Sequence, residues 1–93
     1  MIITKSREEI ELMREAALVV SRTLGMLATE VKVGVTTNEL NTMAEAYIRQ
    51  QDAVPGFLGL YGCPSSILTS VNDQVVHGLP TNRPIEEGDI VSV

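Results

Sequence analysis

The stretch Thr69-Ser-Val-Asn-Asp-Gln-Val-Val-His-Gly-Leu-Pro80 decides how this chain is interpreted, because it contains the only histidine, His77. Residues 67–71 have the composition of a strand, residues 72–73 that of a turn and residues 74–77 that of a second strand, which together predict an antiparallel hairpin. Histidine changes its protonation near neutral pH, and strand ends and loops commonly carry chemistry. His77 is therefore a candidate catalytic residue, although a structural histidine hydrogen-bonded at a strand end is the commoner role for such a residue considered alone.

Two further segments flank the predicted hairpin. Residues 54–64 combine glycine and proline with apolar side chains, which predicts an irregular loop that either lines a pocket or is buried in the fold. Residues 86–89 predict a turn that leads into a β-branched strand at residues 90–93. Because that strand runs to the final residue without a turn or cap, we expect the chain to be part of a longer protein.

The amino-terminal half predicts two amphipathic helices. Ser6 with Glu9, and Thr36 with Glu39, have the spacing of a capping box at a helix start, and Gly34 can adopt the left-handed conformation that ends the first helix. Both helices have an apolar stripe that predicts core packing, and their short connection predicts antiparallel neighbours; a coiled-coil seam is the alternative for the first stripe. The first stripe is Ile10, Met13, Ala17, Val20, Leu24, Leu27 and Val31, and the second is Leu40, Met43, Ala44, Tyr47 and Ile48.

Composition and charge restrict the class of protein. The 93 residues, 44% of them hydrophobic, suffice for one segment, residues 1–93, of the α+β class with helices packed on a sheet. The net charge of −5 disfavours binding to nucleic acid or to an anionic membrane surface, and no apolar run is long enough to span a bilayer. The single cysteine, Cys63, excludes an internal disulfide, and no secretory signal opens the sequence, so we expect a reducing, cytoplasmic location.

The residues themselves predict no metal site. His77, Cys63, Asp73 and Asp89 occur singly rather than at the spacing of metal ligands. Cys63 could act as a nucleophile with His77 as its base, but a lone cysteine beside a proline is more often a small apolar residue.

Three segments together resemble a known family. Residues 70–80 have the pattern S-x-N-x-x-V-x-H-G-x-P, which resembles a stretch of the type I methionine aminopeptidases. Val33-Gly-Val-Thr-Thr-Asn-Glu-Leu40 is similar to that family's turn into its second helix, and Gly88-Asp-Ile-Val91 to the strand that leads to its metal site. The resemblance extends from Ser6 to Val93.

The resemblance implies half of a pita-bread fold, with two amphipathic helices on an antiparallel sheet, and the amino-terminal half of a catalytic domain. It implies removal of the initiator methionine from the amino terminus of nascent polypeptides by metal-dependent hydrolysis. The family uses two divalent metal ions, which are held by two Asp, one His and two Glu. The metal is cobalt, manganese, iron or zinc. None of these five ligands is present here, and the first would follow Val93, so we expect the chain alone to be inactive.

The resemblance also assigns roles to five residues. His77 matches the histidine that contacts the substrate and steadies the charge developing at the scissile amide. Phe57, Leu60, Cys63 and Leu68 align with the pocket for the methionine side chain, whose soft thioether suits apolar walls. The family often has tyrosine at the position of Leu60, an aromatic residue at that of Cys63 and cysteine at that of Leu68, so this pocket is expected to be more aliphatic.

A second hypothesis comes from a different class of protein. A half pita-bread fold exposes the face that its other half would cover. The chain could therefore be a non-catalytic module that uses this face for self-association or for binding a partner.

Overall fold

The computed structural model describes all 93 residues, and their order of elements is two helices followed by loops and two short strands. Helix α1 spans Arg7–Glu30 and helix α2 spans Thr37–Gln50. A single 3₁₀ turn covers Leu60–Gly62. Strand β1 is Ser70–Val71 and strand β2 is Val91–Ser92. The predicted α+β class is confirmed.

Both helices begin at the predicted capping boxes. The Ser6 hydroxyl accepts the Glu9 N–H at 3.1 Å, and the Glu9 carboxylate accepts the Ser6 N–H at 2.9 Å. At the start of α2, the Thr36 hydroxyl accepts the Glu39 N–H at 3.1 Å, and the Glu39 carboxylate accepts the Thr36 N–H at 3.1 Å. Each box satisfies two amides that have no partner inside the helix, which is why the starts were predictable.

The predicted core packing of the α1 stripe is wrong over most of its length. Residues 1–18 are all exposed, and Thr23 and Leu27 are the buried residues of the helix. The Gln51 Nε2 donates to the Thr23 Oγ1 at 3.5 Å, so α2 runs back along α1 and ends opposite Thr23. The preceding turns of α1 extend beyond α2 and have nothing in this chain to pack against.

The core is small and lies where the carboxyl-terminal part of α1 meets α2 and two loop residues. Its five buried members are Leu27, Leu40, Ala44, Ile67 and Ile85, with Met26, Val35, Met43 and Val91 packed against them. The α2 stripe is confirmed, because Leu40 and Ala44 are fully buried and the other members are partly buried.

The connection between the helices is fixed by residues near the end of the chain. Gly34, at a φ of 95°, donates its N–H to the Ile85 carbonyl at 2.9 Å, and the Ile85 N–H donates to the Val35 carbonyl at 2.8 Å. Thr37 Oγ1 accepts the Thr81 N–H at 2.8 Å. The left-handed Gly34 is as predicted, and these bonds hold residues 81–85 against the start of α2.

The predicted hairpin of residues 67–77 is wrong. β1 pairs instead with β2, antiparallel, with Ser70 opposite Ser92 and Val71 opposite Val91. Residues 72–73 form a turn as predicted, but residues 74–77 are irregular, with a bend at Val76, rather than a strand. The extended path cannot continue after β1, because Asn72 has a φ of 56° and the Gln74 side-chain oxygen accepts the Val71 N–H at 2.9 Å. No helix of the chain has both the length and the apolar character needed to cross a membrane.

Candidate active site around His77

His77 lies on a closed loop, residues 71–77, which we call the His77 loop. The loop is closed at its base because the Thr69 N–H donates to the Gly78 carbonyl at 2.8 Å. On its first side, the Gln74 N–H donates to the Val71 carbonyl at 3.2 Å. Val75 and Val76 form the exposed tip. The compact loop with adjoining ends presents His77 from a fixed base.

Gly78 fits its position only because it lacks a side chain. It is buried, and its N–H donates to the Ser70 hydroxyl at 3.1 Å. A Cβ built on Gly78 would lie 2.1 Å from the Thr69 carbonyl oxygen. The backbones of the two segments therefore approach more closely than any other residue type would allow.

His77 itself adopts a left-handed backbone conformation, with a φ of 60°. For a residue with a Cβ this conformation costs about 1–2 kcal/mol, and such strain is concentrated at functional sites. The residue is exposed and its imidazole makes no hydrogen bond within the chain. No partner within residues 1–93 thus holds the imidazole, and the role of His77 stays a prediction.

Asp89 joins the His77 loop to the turn before β2. Its carboxylate accepts the Asn72 side-chain N–H at 2.9 Å and the Glu86 backbone N–H at 2.9 Å, and it pairs with Arg83 at 3.2 Å. The Glu86 amide, followed by the Asn72 amide and the Arg83 charge, lowers the pKa of Asp89 below its ordinary value of 3.8. Asp89 is therefore ionised at neutral pH and holds the loop and the turn together.

A polar cavity of about 290 Å³ lies beside the His77 loop. Thr69 lies at the wall of this cavity and is only 1% exposed, and its buried hydroxyl has no hydrogen-bond partner. His77 itself does not line this cavity, although residues 71–74 of the His77 loop do. The lining residues are Thr37, Thr69, Val71, Asn72, Asp73, Gln74, Leu79, Thr81 and Arg83.

The residues predicted for the methionine pocket lie on or just after the irregular loop, and none lines the cavity beside the His77 loop. Phe57 and Leu60 are about half exposed. Cys63 and Leu68 are partly buried, and the Cys63 thiol contacts the Ser65 carbonyl at 3.5 Å. Apart from the 3₁₀ turn, the loop is irregular as predicted.

The residues present do not fit a metal site. No group of three or more His, Cys, Asp or Glu side chains comes close enough to hold an ion. Asp89, the most enclosed of the candidate carboxylates, already accepts bonds from Asn72, Glu86 and Arg83. Any metal chemistry of a longer protein would need ligands beyond these residues.

Sequence reasoning missed the residues that fix His77. Ser70, Asn72 and Gly78 belong to the matched pattern, but no contact that holds the His77 loop was predicted for any of them. The sequence signal was available in part, since Asn is among the residues that adopt positive φ most readily and Gly permits a close approach of two backbones. The partners across the loop base, however, become apparent only from the fold.

Comparison with known proteins matches residues 11–93 to metallopeptidase family M24. The chain belongs to this family. It is 47% identical over 93 residues to a methionine aminopeptidase of Clostridium perfringens and 49% identical over 94 residues to one of Clostridium acetobutylicum. These matches cover 100% of the M24 chain but only 37% and 38% of the two relatives.

Solved structures agree with the family match. The M24 chain superposes on methionine aminopeptidases from Rickettsia prowazekii and Thermotoga maritima, each with a TM-score of 0.94. Sequence identities are 38% and 34%, and each match covers 98% of this chain and 37% of the other. The resemblance to methionine aminopeptidases and the predicted half pita-bread fold are therefore confirmed. The chain spans a little over a third of the length of the relatives it matches.

Proposed function

We propose that this M24 chain forms the substrate-facing part of a methionine aminopeptidase that removes the initiator methionine from nascent polypeptides in the cytoplasm. The observation that carries the proposal is His77, an unpartnered imidazole on a loop whose base is tied by short hydrogen bonds. The 47% identity to a methionine aminopeptidase over the whole chain supports the choice of substrate.

His77 would act as a hydrogen-bond donor to the scissile amide. Hydrolysis of a peptide builds negative charge on the carbonyl oxygen, and a donor fixed in advance stabilises that charge without reorganising. The exposed ring and the tied loop base suit this role, since the donor is presented outward from a rigid support. Removing one such donor typically lowers kcat by about 10²–10³.

Phe57, Leu60, Cys63 and Leu68 would receive the methionine side chain. A flexible, polarisable thioether is best accommodated by apolar walls, and three of these residues are aliphatic or aromatic. The exposure of Phe57 and Leu60 leaves apolar surface available for such a contact. A pocket closed by further protein would complete the enclosure.

The cofactor we propose is a pair of divalent ions, cobalt, manganese, iron or zinc, held by residues other than those of this chain. The family is one of metallopeptidases, and the side chains described here form no ligand cluster. Isolated residues 1–93 should accordingly show no hydrolysis of a methionyl peptide with either cobalt or manganese added.

The proposal is tested with a chimera in which residues 1–93 replace the matching segment of the Clostridium perfringens enzyme. The purified chimera is supplied with cobalt or manganese and assayed on a Met-Ala peptide, and we expect it to release methionine. His77→Ala should lower kcat by about 10²–10³. Val75→Ala, an exposed change on the same loop, is the matched control and should leave the rate unchanged.

Two results would count against the proposal. A chimera that folds, binds metal and fails to cleave the peptide would show that this segment does not serve the reaction. A His77→Ala chimera as active as its parent would show that the imidazole is not the donor. Circular dichroism of each variant separates either result from misfolding.

A non-catalytic role in self-association is the second candidate, and the exposed apolar stripe of α1 favours it. Ile10, Met13 and Val20 are about half exposed and lie on one side of the helix. Sedimentation of the isolated chain tests this role. A dimer that Met13→Glu converts to monomer would support association through α1, whereas a monomer at high concentration would eliminate it.

A further inference from the structure

We propose that Ser70 is a positioning residue for His77, acting through the buried Gly78. Its hydroxyl would hold the backbone that follows His77 and thereby impose the left-handed conformation from which the imidazole projects. The use of that imidazole in peptide hydrolysis rests on the proposed function, but the positioning itself does not.

Gly78 is held on both sides by the same short segment. Its N–H donates to the Ser70 hydroxyl at 3.1 Å, and its carbonyl accepts the Thr69 N–H at 2.8 Å. Ser70 is 5% exposed and belongs to β1, where it pairs with Ser92. The anchor is therefore a buried strand rather than a mobile loop.

The space around Gly78 leaves no room for a side chain. The Thr69 carbonyl oxygen and the Gln74 side-chain oxygen would lie 2.1 and 3.0 Å from a Cβ at Gly78. The same Gln74 oxygen accepts the Val71 N–H at 2.9 Å. The loop is thus pinned at its beginning by Gln74 and at its end by Ser70, with His77 between the two anchors.

His77 does not hold its own conformation. Its φ of 60° is unfavourable for a residue with a Cβ, and its side chain makes no compensating hydrogen bond within the chain. Strain of this kind persists only where the surroundings over-determine the backbone. The bonds at Gly78 are the nearest contacts able to do so.

The test uses NMR on the complete 93-residue chain. The intraresidue HN–Hα NOE is strong only where φ is positive, because the two hydrogens then approach each other, so His77 should show a strong NOE. Hydrogen exchange of the Gly78 amide reports the bond to Ser70. A His77 with a weak NOE in the unmodified chain, whether extended or disordered, would overturn the proposal without any variant.

Three variants then separate positioning from stability. Ser70→Ala should weaken the His77 NOE and accelerate Gly78 exchange by about fivefold or more, the effect of losing one hydrogen bond. Ser70→Thr keeps the hydroxyl and should restore both. Ser92→Ala, the same change at the cross-strand partner, should leave both unchanged, because Ser92 is exposed and its side chain makes no hydrogen bond.

A purely structural role for Ser70 gives a different pattern. Ser70→Ala would then lower the free energy of unfolding but leave the His77 NOE strong in the folded chain, and that result would overturn the proposal. Loss of the NOE in Ser70→Thr as well would also overturn it, since the hydroxyl would then not be the cause.

The chimera distinguishes this inference from the proposed function. There Ser70→Ala should lower kcat at an unchanged KM, with recovery in Ser70→Thr. A strong His77 NOE in a chimera that does not cleave the peptide would remove the proposed function and leave the positioning intact. A weak NOE in an active chimera would do the reverse.

Discussion

Asn72 and Ile90 are joined by two hydrogen bonds, one through the backbone of Asn72 and one through its side chain. The Asn72 backbone N–H donates to the Ile90 carbonyl at 2.8 Å, and the Asn72 side-chain oxygen accepts the Ile90 N–H at 3.0 Å. Because Asn72 has turned out of the strand at a φ of 56°, its side chain replaces the carbonyl that a strand residue would supply. The pairing of β1 with β2 is thereby extended beyond its two regular rungs.

Asn72→Ala should destabilise the chain by about 1–3 kcal/mol, because it removes the side-chain hydrogen bonds to Ile90 and Asp89 and places an alanine at positive φ. Urea unfolding followed by circular dichroism gives the value. The matched control is Asn82→Ala, which removes an exposed side-chain bond to Asn38 and should cost less than about 0.5 kcal/mol. Equal losses in both variants would contradict the special role of Asn72.

Asp89 should make stability depend on pH in the acid range. Its pKa is lowered in the folded chain, so its contribution is fully present above the unfolded value near 3.8 and is lost as pH falls through the lower folded value. Asp89→Asn should therefore flatten the decline of unfolding free energy below about pH 4. Glu87→Gln, a change on the same turn at an exposed carboxylate, should leave that part of the curve intact.

Leu27 and Leu24 provide a direct comparison of burial within one helix. Leu27 is 2% exposed and belongs to the core, whereas Leu24 is 44% exposed. Leu27→Ala should cost about 2–5 kcal/mol and Leu24→Ala less than 1 kcal/mol in chemical denaturation. Similar costs at the two positions would show that Leu24 is also covered in solution.

The two capping boxes should differ in their effect despite identical chemistry. Thr36→Ala should lower the free energy of unfolding by about 0.5–2 kcal/mol, because α2 is packed in the core along its length. Ser6→Ala should mainly fray the first turn of α1, whose residues are exposed. Hydrogen exchange of the Glu9 and Glu39 amides, compared with global unfolding, separates the two outcomes.

The helices were predictable because their signals are local. A capping residue and its partner lie three positions apart, so the sequence contains the whole interaction. The pairing of β1 was not predictable in this way. Two residues at positive φ, Asn72 and His77, interrupt a β-branched run, and the true partner lies about twenty positions later.

The candidate site, like the fold, was predictable only in part. The pattern around His77 identified the family, which the comparisons confirm, whereas the role of His77 stays a prediction. Glycine is required at position 78 because the Thr69 carbonyl oxygen lies close to it, and sequence spacing does not predict that contact. Likewise, the α1 periodicity correctly marks an apolar side of the helix but carries no information on which segment covers it.

The exposed turns of α1 have a consequence for the way the chain unfolds. A helix of about 12–15 residues without tertiary contacts is only marginally stable in water. Residues 7–18 meet that description, whereas the turns around Leu27 are tied to the core. Heating should therefore melt the amino-terminal turns gradually before the core opens, so the van't Hoff enthalpy from helical circular dichroism should fall below the calorimetric enthalpy.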